Sequence, residues 1–398
     1  MQTIDAVETI EPAEIVHPVP PARTFDVPMS QPSLNADDVQ AVMNVLGGPS
    51  LSMGPEIAAF ERELAAFVGA REGIGVNSGT SGLHLCLSAL GVGPGDEVIT
   101  SPFSFVASAN CAIYVGARPV FADIDAETLN LDPQRVEDAV TPRTRSLLPV
   151  DVFGQPADMD AITAIAKRHR LSVVEDSCEA IGAERNGVRI GSAADAAVFA
   201  FYPNKQMTTG EGGMIVTGDP DLARVMRSQA NQGRDDAGTW MNHVRLGFNY
   251  RLDEMSAALG RSQLARIDQI LDRRSRVAAW YDERLGAIAG IRTPFVAPQT
   301  TRMSWFVYVI QTEDGIDRDG LVTELAAHGI PSRPYFVPIH LQPYYRDTFG
   351  YQPGDFPVTE AVAARTIALP FFTDMTPEQV DLVGTRLEQS LAHLSTAH

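Results

Sequence analysis

Residues 146–176 read SLLPVDVFGQPADMDAITAIAKRHRLSVVED, and the order of patterns in this stretch decides the fold class. Residues 146–150 and 171–175 are short apolar runs, and between them residues 158–169 have helical spacing. Met159, Ile162, Ile165 and Ala166 fall on one face of that helix, and Asp158 stands where an N-cap belongs. Strands alternating with helices predict a largely parallel sheet covered on both faces.

The same alternation extends outward from about residue 27 to Gly218, with further strands at 97–100 and 119–122. Sheets of this kind bind ligands beyond the carboxyl ends of their strands. Past Asn249 the texture changes. Residues 251–285 carry a long, highly charged helical pattern, read as a connector. A strand (306–311), a helix (321–328), a Pro- and Tyr-rich loop and a terminal helix from Pro377 follow. A chain of 398 residues exceeds what one core holds. The expected division is a mobile tail over 1–26, a large α/β domain over 27–250, and a connector helix with a smaller α/β domain over 251–398.

The net charge of −19 repels nucleic acid and anionic membrane, so neither is expected as a partner. Asp5, Glu8, Glu11 and Glu14 stand where a secretory signal needs basic and then apolar residues, so a cytoplasmic location is expected. Cys86, Cys111 and Cys178 have no metal-ligand spacing and an odd count. They read as buried free thiols, and no metal site is expected.

Three groups of residues carry candidate chemistry. Asn77-Ser78-Gly79-Thr80-Ser81-Gly82 precedes Leu83, Cys86, Leu87 and Leu90 at helical spacing. Small and hydroxylated residues at a helix N-terminus make a phosphate cradle, or simply a capped loop. Val173-Val174-Glu175-Asp176 ends an apolar strand in two carboxylates. These are helix caps or solvent-facing acids, or one of them holds a cationic ring nitrogen. Finally, Lys205 stands between two strand-like runs and precedes the glycine loop Gly210-Glu211-Gly212-Gly213. A lone lysine is ordinarily a solvated charge, but a desolvated one bonds to aldehydes. Pyridoxal phosphate needs all three: a cradle for its phosphate, a carboxylate on its pyridine nitrogen and a lysine for its aldehyde.

With these residues in place, the sequence resembles the sugar aminotransferases of the DegT/StrS type, among the fold-type I pyridoxal phosphate enzymes. The matching segments include Leu51 to Pro55, Phe60 to Glu63, Val76 to Leu85, Asp96 to Ile99, Asp176 and its flanks, and Lys205 with its glycine loop. Gly247 to Leu252 and Pro338 to Pro343 complete them. The resemblance implies a large domain with a mostly parallel sheet between helices, plus a smaller C-terminal α/β domain. By position it makes Lys205 the cofactor lysine and proton shuttle, pairs Asp176 with the pyridine nitrogen, and puts Gly79 and Thr80 on the phosphate. Phe105 is expected against the ring face, or else in a helix core. Asn249 is expected to reach the phosphate of a neighbouring subunit, which implies a homodimer with shared sites. Tyr335 and His340 are expected on the sugar side of the cleft, with a structural role open for His340. Arg333 is expected to contact a diphosphate or a donor carboxylate. The implied substrates are an amino-acid donor, glutamate or glutamine, and a keto-sugar acceptor linked to a nucleotide.

Two positions depart from the family pattern. Ala200 stands where a serine often binds the cofactor phosphate, and Glu179 stands where histidine or glutamine is common. Glu179 is therefore placed beside the cofactor, on its ring or on the sugar. Residues 175–180 are also similar to the sugar 3-dehydratases, which carry histidine in place of Lys205. A non-catalytic regulator on the same fold is a further alternative, although the cofactor residues are retained. A nicotinamide dehydrogenase is disfavoured, because residues 77–82 lack the spacing of its glycine turn.

Overall fold

The computed structural model describes residues 25–235 and 241–396. Residues 1–24 of the expected tail lie outside the described residues. The first nine strands are β1 (Glu72–Val76), β2 (Glu97–Thr100), β3 (Arg118–Phe121), β4 (Thr144–Leu148), β5 (Ser172–Asp176), β6 (Glu184–Arg185), β7 (Val188–Arg189), β8 (Ala196–Ala200) and β9 (Gly213–Thr217). Seven of them form one sheet in the order β1-β9-β8-β5-β4-β2-β3. The pairs β2–β3, β2–β4, β4–β5 and β5–β8 are parallel. Only β9 runs against its neighbours, β1 and β8.

This is the expected α/β architecture, and its central strands explain themselves. Ile99, Leu147, Val173 and Val174 are buried, as strands covered by helices on both faces require. The helix that decided the fold runs Met159–His169, and Asp158 caps it by accepting from the Ala161 N–H at 3.3 Å. Its Met159, Ile162, Ile165 and Ala166 are buried against Leu147 and Val173.

The remaining strands are β10 (Ile291–Arg292), β11 (Thr300–Arg302), β12 (Tyr308–Thr312), β13 (Arg333–Pro334) and β14 (Thr366–Leu369). A second, antiparallel sheet has the order β10-β12-β14-β13, and β11 pairs with the β6–β7 hairpin in a small third sheet. Tyr308, Ile310, Ile367 and Leu369 of the second sheet build a separate core with Leu321, Leu325, Val380 and Val383. Val27 is fully buried in that same core, and Phe371 N–H donates to the Met29 carbonyl at 3.0 Å. Val27 thus packs with the C-terminal sheet, while Met29 packs against the core of the large one.

The expected connector helix over 251–285 is two helices, Glu254–Leu264 and Ile267–Leu285. The chain turns at Arg266, whose guanidinium reaches Asp38 Oδ2 at 2.6 Å and the Ser33 carbonyl at 2.7 Å. That tie spans more than two hundred positions, so the helical pattern of 251–285 carried no sign of it. Further along the second helix, Arg274 is buried without a carboxylate in hydrogen-bond contact. It donates to the carbonyls of Trp305 (2.5 Å) and Phe306 (2.7 Å) and to Thr373 Oγ1 (3.1 Å). Burial pushes its guanidinium down to about 9. Among the described residues, no helix is long and apolar enough to cross a membrane.

Candidate active site

The carboxyl ends of β5 and β8 and the N-terminus of helix Gly79–Ala89 open onto one cavity of about 420 Å³. Asp176, the last residue of β5, is 5% exposed and lines it. Its Oδ2 accepts from Ser108 Oγ at 2.7 Å, and Ser108 in turn pairs with Ser104 Oγ at 2.7 Å. Its Oδ1 accepts from the Cys178 N–H at 3.3 Å. A carboxylate held at both oxygens keeps its direction, as a fixed partner for a cationic nitrogen must.

Helix Gly79–Ala89 begins at Ser78, whose Oγ accepts from the Ser81 N–H at 3.1 Å. The first-turn N–H groups of Gly79 and Thr80 have no intrahelical acceptor, and both residues line the cavity. A Cβ at Gly79 would lie 2.7 Å from Cys178 Sγ and 2.9 Å from Ala200 Cβ. Glycine is therefore required where the helix meets the ends of β5 and β8. The cradle is intact, but the Ala200 position offers it no hydroxyl.

Lys205 lies in the loop between β8 and β9, its side chain 13% exposed. Its Nζ is 3.6 Å from Glu179 Oε1 and 3.8 Å from the centre of the Phe306 ring. Glu179 is buried, and its Oε2 accepts from the Phe153 N–H at 3.0 Å. Burial pushes the Glu179 carboxyl up, opposed by the nearby Lys205 and the Phe153 N–H. The buried Asn204 Oδ1 beside them has no hydrogen-bond partner among the described residues. Cradle, fixed carboxylate, lysine and an unpartnered polar atom on one wall fit pyridoxal phosphate.

Phe105 lines the cavity, 62% exposed in the turn before helix Ala107–Tyr114. This position excludes the helix-core alternative. Tyr335 also lines the cavity, stacked on Phe336 at 4.5 Å, and burial pushes its phenol well up. His340 does not reach the cleft. It is fully buried, bonded through Nε2 to Glu360 at 3.0 Å and packed edge-on to Phe356. The turn Ile339–Leu341 carries it inward, and burial lowers its imidazole pKa. Arg333 is exposed on β13 and is not part of the cavity wall, although its charge acts on the Tyr335 phenol. Asn249 is exposed outside the cavity, and its carbonyl accepts from Asn77 Nδ2 at 3.4 Å.

Sequence reasoning missed Ser108 and Phe306. The pair Ser104 and Ser108, one helical turn apart, was a readable sign; Phe306 was read only as the start of a strand. Cys86 and Cys111 are buried free thiols, and Cys178 is half-buried. Larger hollows exist elsewhere. One of about 750 Å³ is lined by Arg261, Glu56 and Glu63, but there Arg261 is already paired with both carboxylates at 2.7 Å.

Comparison with known proteins agrees with this geometry. The spore coat polysaccharide biosynthesis protein SpsC of Bacillus subtilis is 41% identical over 90% of this chain and 95% of its own. The GDP-perosamine synthase of Caulobacter vibrioides is 39% identical over 92% and 98%. The crystal structure of S. venezuelae DesV in complex with a ketimine intermediate superposes with a TM-score of 0.85 at 39% identity, covering 91% of this chain and 98% of that one. Residues 32–388 match one family along nearly the whole described fold. The lysine, the carboxylate and the phosphate cradle thus sit in a chain that belongs to the DegT/DnrJ/EryC1/StrS aminotransferase family, whose members transfer amino groups with pyridoxal phosphate.

Proposed function

We propose that this chain moves an amino group from glutamate or glutamine to a keto sugar carried on a nucleotide. The observation that supports this best is the convergence of Lys205, Asp176 and the Gly79–Thr80 helix end on one cavity. The names of the relatives, a GDP-perosamine synthase and a dTDP-amino-sugar transaminase, favour a nucleotide-linked acceptor.

When bound, pyridoxal phosphate supplies an aldehyde and an electron-accepting ring that carries the amino group between the two substrates. The chain's own residues do the rest. Gly79 and Thr80 N–H groups, at the positive end of a helix, hold the phosphate. Asp176, fixed by Ser108, holds a proton on the ring nitrogen. Phe105 covers one ring face. Lys205 Nζ takes a proton from the donor carbon and later returns one to the acceptor carbon, so it must be neutral when free. Tyr335 narrows the sugar side of the cavity. Asn249 reaches the phosphate of a second copy, which makes the working unit a homodimer with shared sites. The separate seven-stranded and four-stranded sheets support a cofactor-binding domain (27–250) and a smaller domain (251–398).

The test is the visible absorbance of the purified protein with pyridoxal phosphate, before and after glutamate. A band that glutamate bleaches, and that Lys205→Ala lacks, is the expected result, with turnover lost by at least ~10³-fold in the variant. Near-normal sugar amination by Lys205→Ala sinks the proposal. Product mass then separates amination, which adds nitrogen, from dehydration, which only loses oxygen.

A further inference from the structure

The surroundings of the Lys205 amine are more specific than a cofactor lysine needs. Nζ lies between the Phe306 ring, 3.8 Å to its centre, and Glu179 Oε1 at 3.6 Å. Both partners are fixed from behind. Glu179 Oε2 accepts from the Phe153 N–H at 3.0 Å, and Glu179's own carbonyl accepts from Gln206 Nε2 at 2.5 Å. Phe153 occupies a left-handed conformation (φ 58°) before Gly154. A Cβ at Gly154 would lie 1.6 Å from the Ser304 carbonyl, so only glycine fits this turn, and the Ser304 N–H ties it down by donating to the Gly154 carbonyl at 3.1 Å. Phe306 is held by Arg274, which binds its carbonyl at 2.7 Å.

We infer that Glu179 and Phe306 form a built rest position for the Lys205 ammonium, which the amine occupies in the cofactor-free protein. This rests on reading Lys205 as the cofactor lysine. A carboxylate on one side and an aromatic face on the other are both attractive contacts for an ammonium group. The remaining groups facing it do not replace Glu179. Asp176 is engaged by Ser108 and the Cys178 N–H. Asp151 accepts from Ser177 and the Ala157 N–H and is pushed up to about 7 by burial. Burial also pushes up the Cys178 thiol and the Tyr335 phenol. Glu179 is thus a positioning residue, and its acidity, unlike a histidine or glutamine there, gives the free amine a counter-charge.

The consequence is readable during cofactor capture. Bonding to an aldehyde uses the Nζ lone pair: a carbon–nitrogen double bond forms, the carbon–oxygen bond breaks and water leaves. The ammonium must first leave the carboxylate and give a proton to solvent. Weakening the rest position therefore speeds capture at neutral pH. The experiment mixes cofactor-free protein with pyridoxal phosphate and follows the rate of the visible band across neutral and alkaline pH. Glu179→Gln keeps the shape and can still accept from Phe153. Its capture rate at neutral pH is expected to rise by about 5- to 10-fold. Phe306→Leu is expected to act in the same direction by roughly 2- to 3-fold. Unchanged profiles in both variants overturn the inference. Slower capture by Glu179→Gln at every pH also overturns it and makes Glu179 a direct cofactor ligand. A wild-type protein that never acquires the band overturns the proposed function instead, and this inference with it.

Discussion

Two regions were expected to furnish the site, and they behave differently. The ends of β5 and β8 and the helix after β1 deliver Asp176, Glu179, Lys205, Gly79 and Thr80 to one cavity. The segment from β13 to the Ile339–Leu341 turn delivers only Tyr335. Arg333 stays in solvent and His340 goes into a core. In a parallel sheet the carboxyl ends of neighbouring strands share one edge, so position along the chain fixes position in space. In a loop rich in proline and tyrosine, each side chain's direction depends on partners far away in sequence.

Substitutions in the two regions should separate chemistry from structure. Asp176→Asn keeps the shape but removes the charge, and kcat is expected to fall by about 10²-fold with the fold intact. Steady-state kinetics beside a circular dichroism spectrum decide this, and an active Asp176→Asn enzyme would break the contrast. His340→Ala should leave kcat within about 2-fold but lower the unfolding free energy by ~2 kcal/mol, because it empties a buried site and strips Glu360 of a donor. Urea denaturation measures it; a large kcat loss at unchanged stability would return His340 to the site. The smallest effect is expected from Arg333→Gln, within about 2-fold in kcat and in stability. A selective rise in KM for one anionic substrate would show that the exposed guanidinium does reach the cleft.

The same contrast explains what the sequence disclosed. Met159, Ile162, Ile165 and Ala166 named a buried helix face because that face is local. Asp158 named its cap for the same reason. Asp176 and Lys205 were legible because each stands at the end of an apolar strand-like run. The break at Arg266 was hidden, since its cause is Asp38. The fate of His340 was hidden too, since Glu360 and Phe356 determine it. Phe306 lies beside the amine only because Arg274, on a different element, holds its carbonyl.

The reversed strand β9 gives the lysine loop a property of its own. Ala200 of β8 and Gly213 of β9 are register partners, and the Phe201 N–H donates to the Gly212 carbonyl at 3.0 Å just beyond them. Residues 201–212 are thus a closed lariat, tied at one knot on the sheet. Its ties to the rest of the chain must be carried with it in any graft: Gln206, whose amide binds Ser304 at 2.9 Å, and Phe201, whose ring packs on Phe60, both couple it to distant segments.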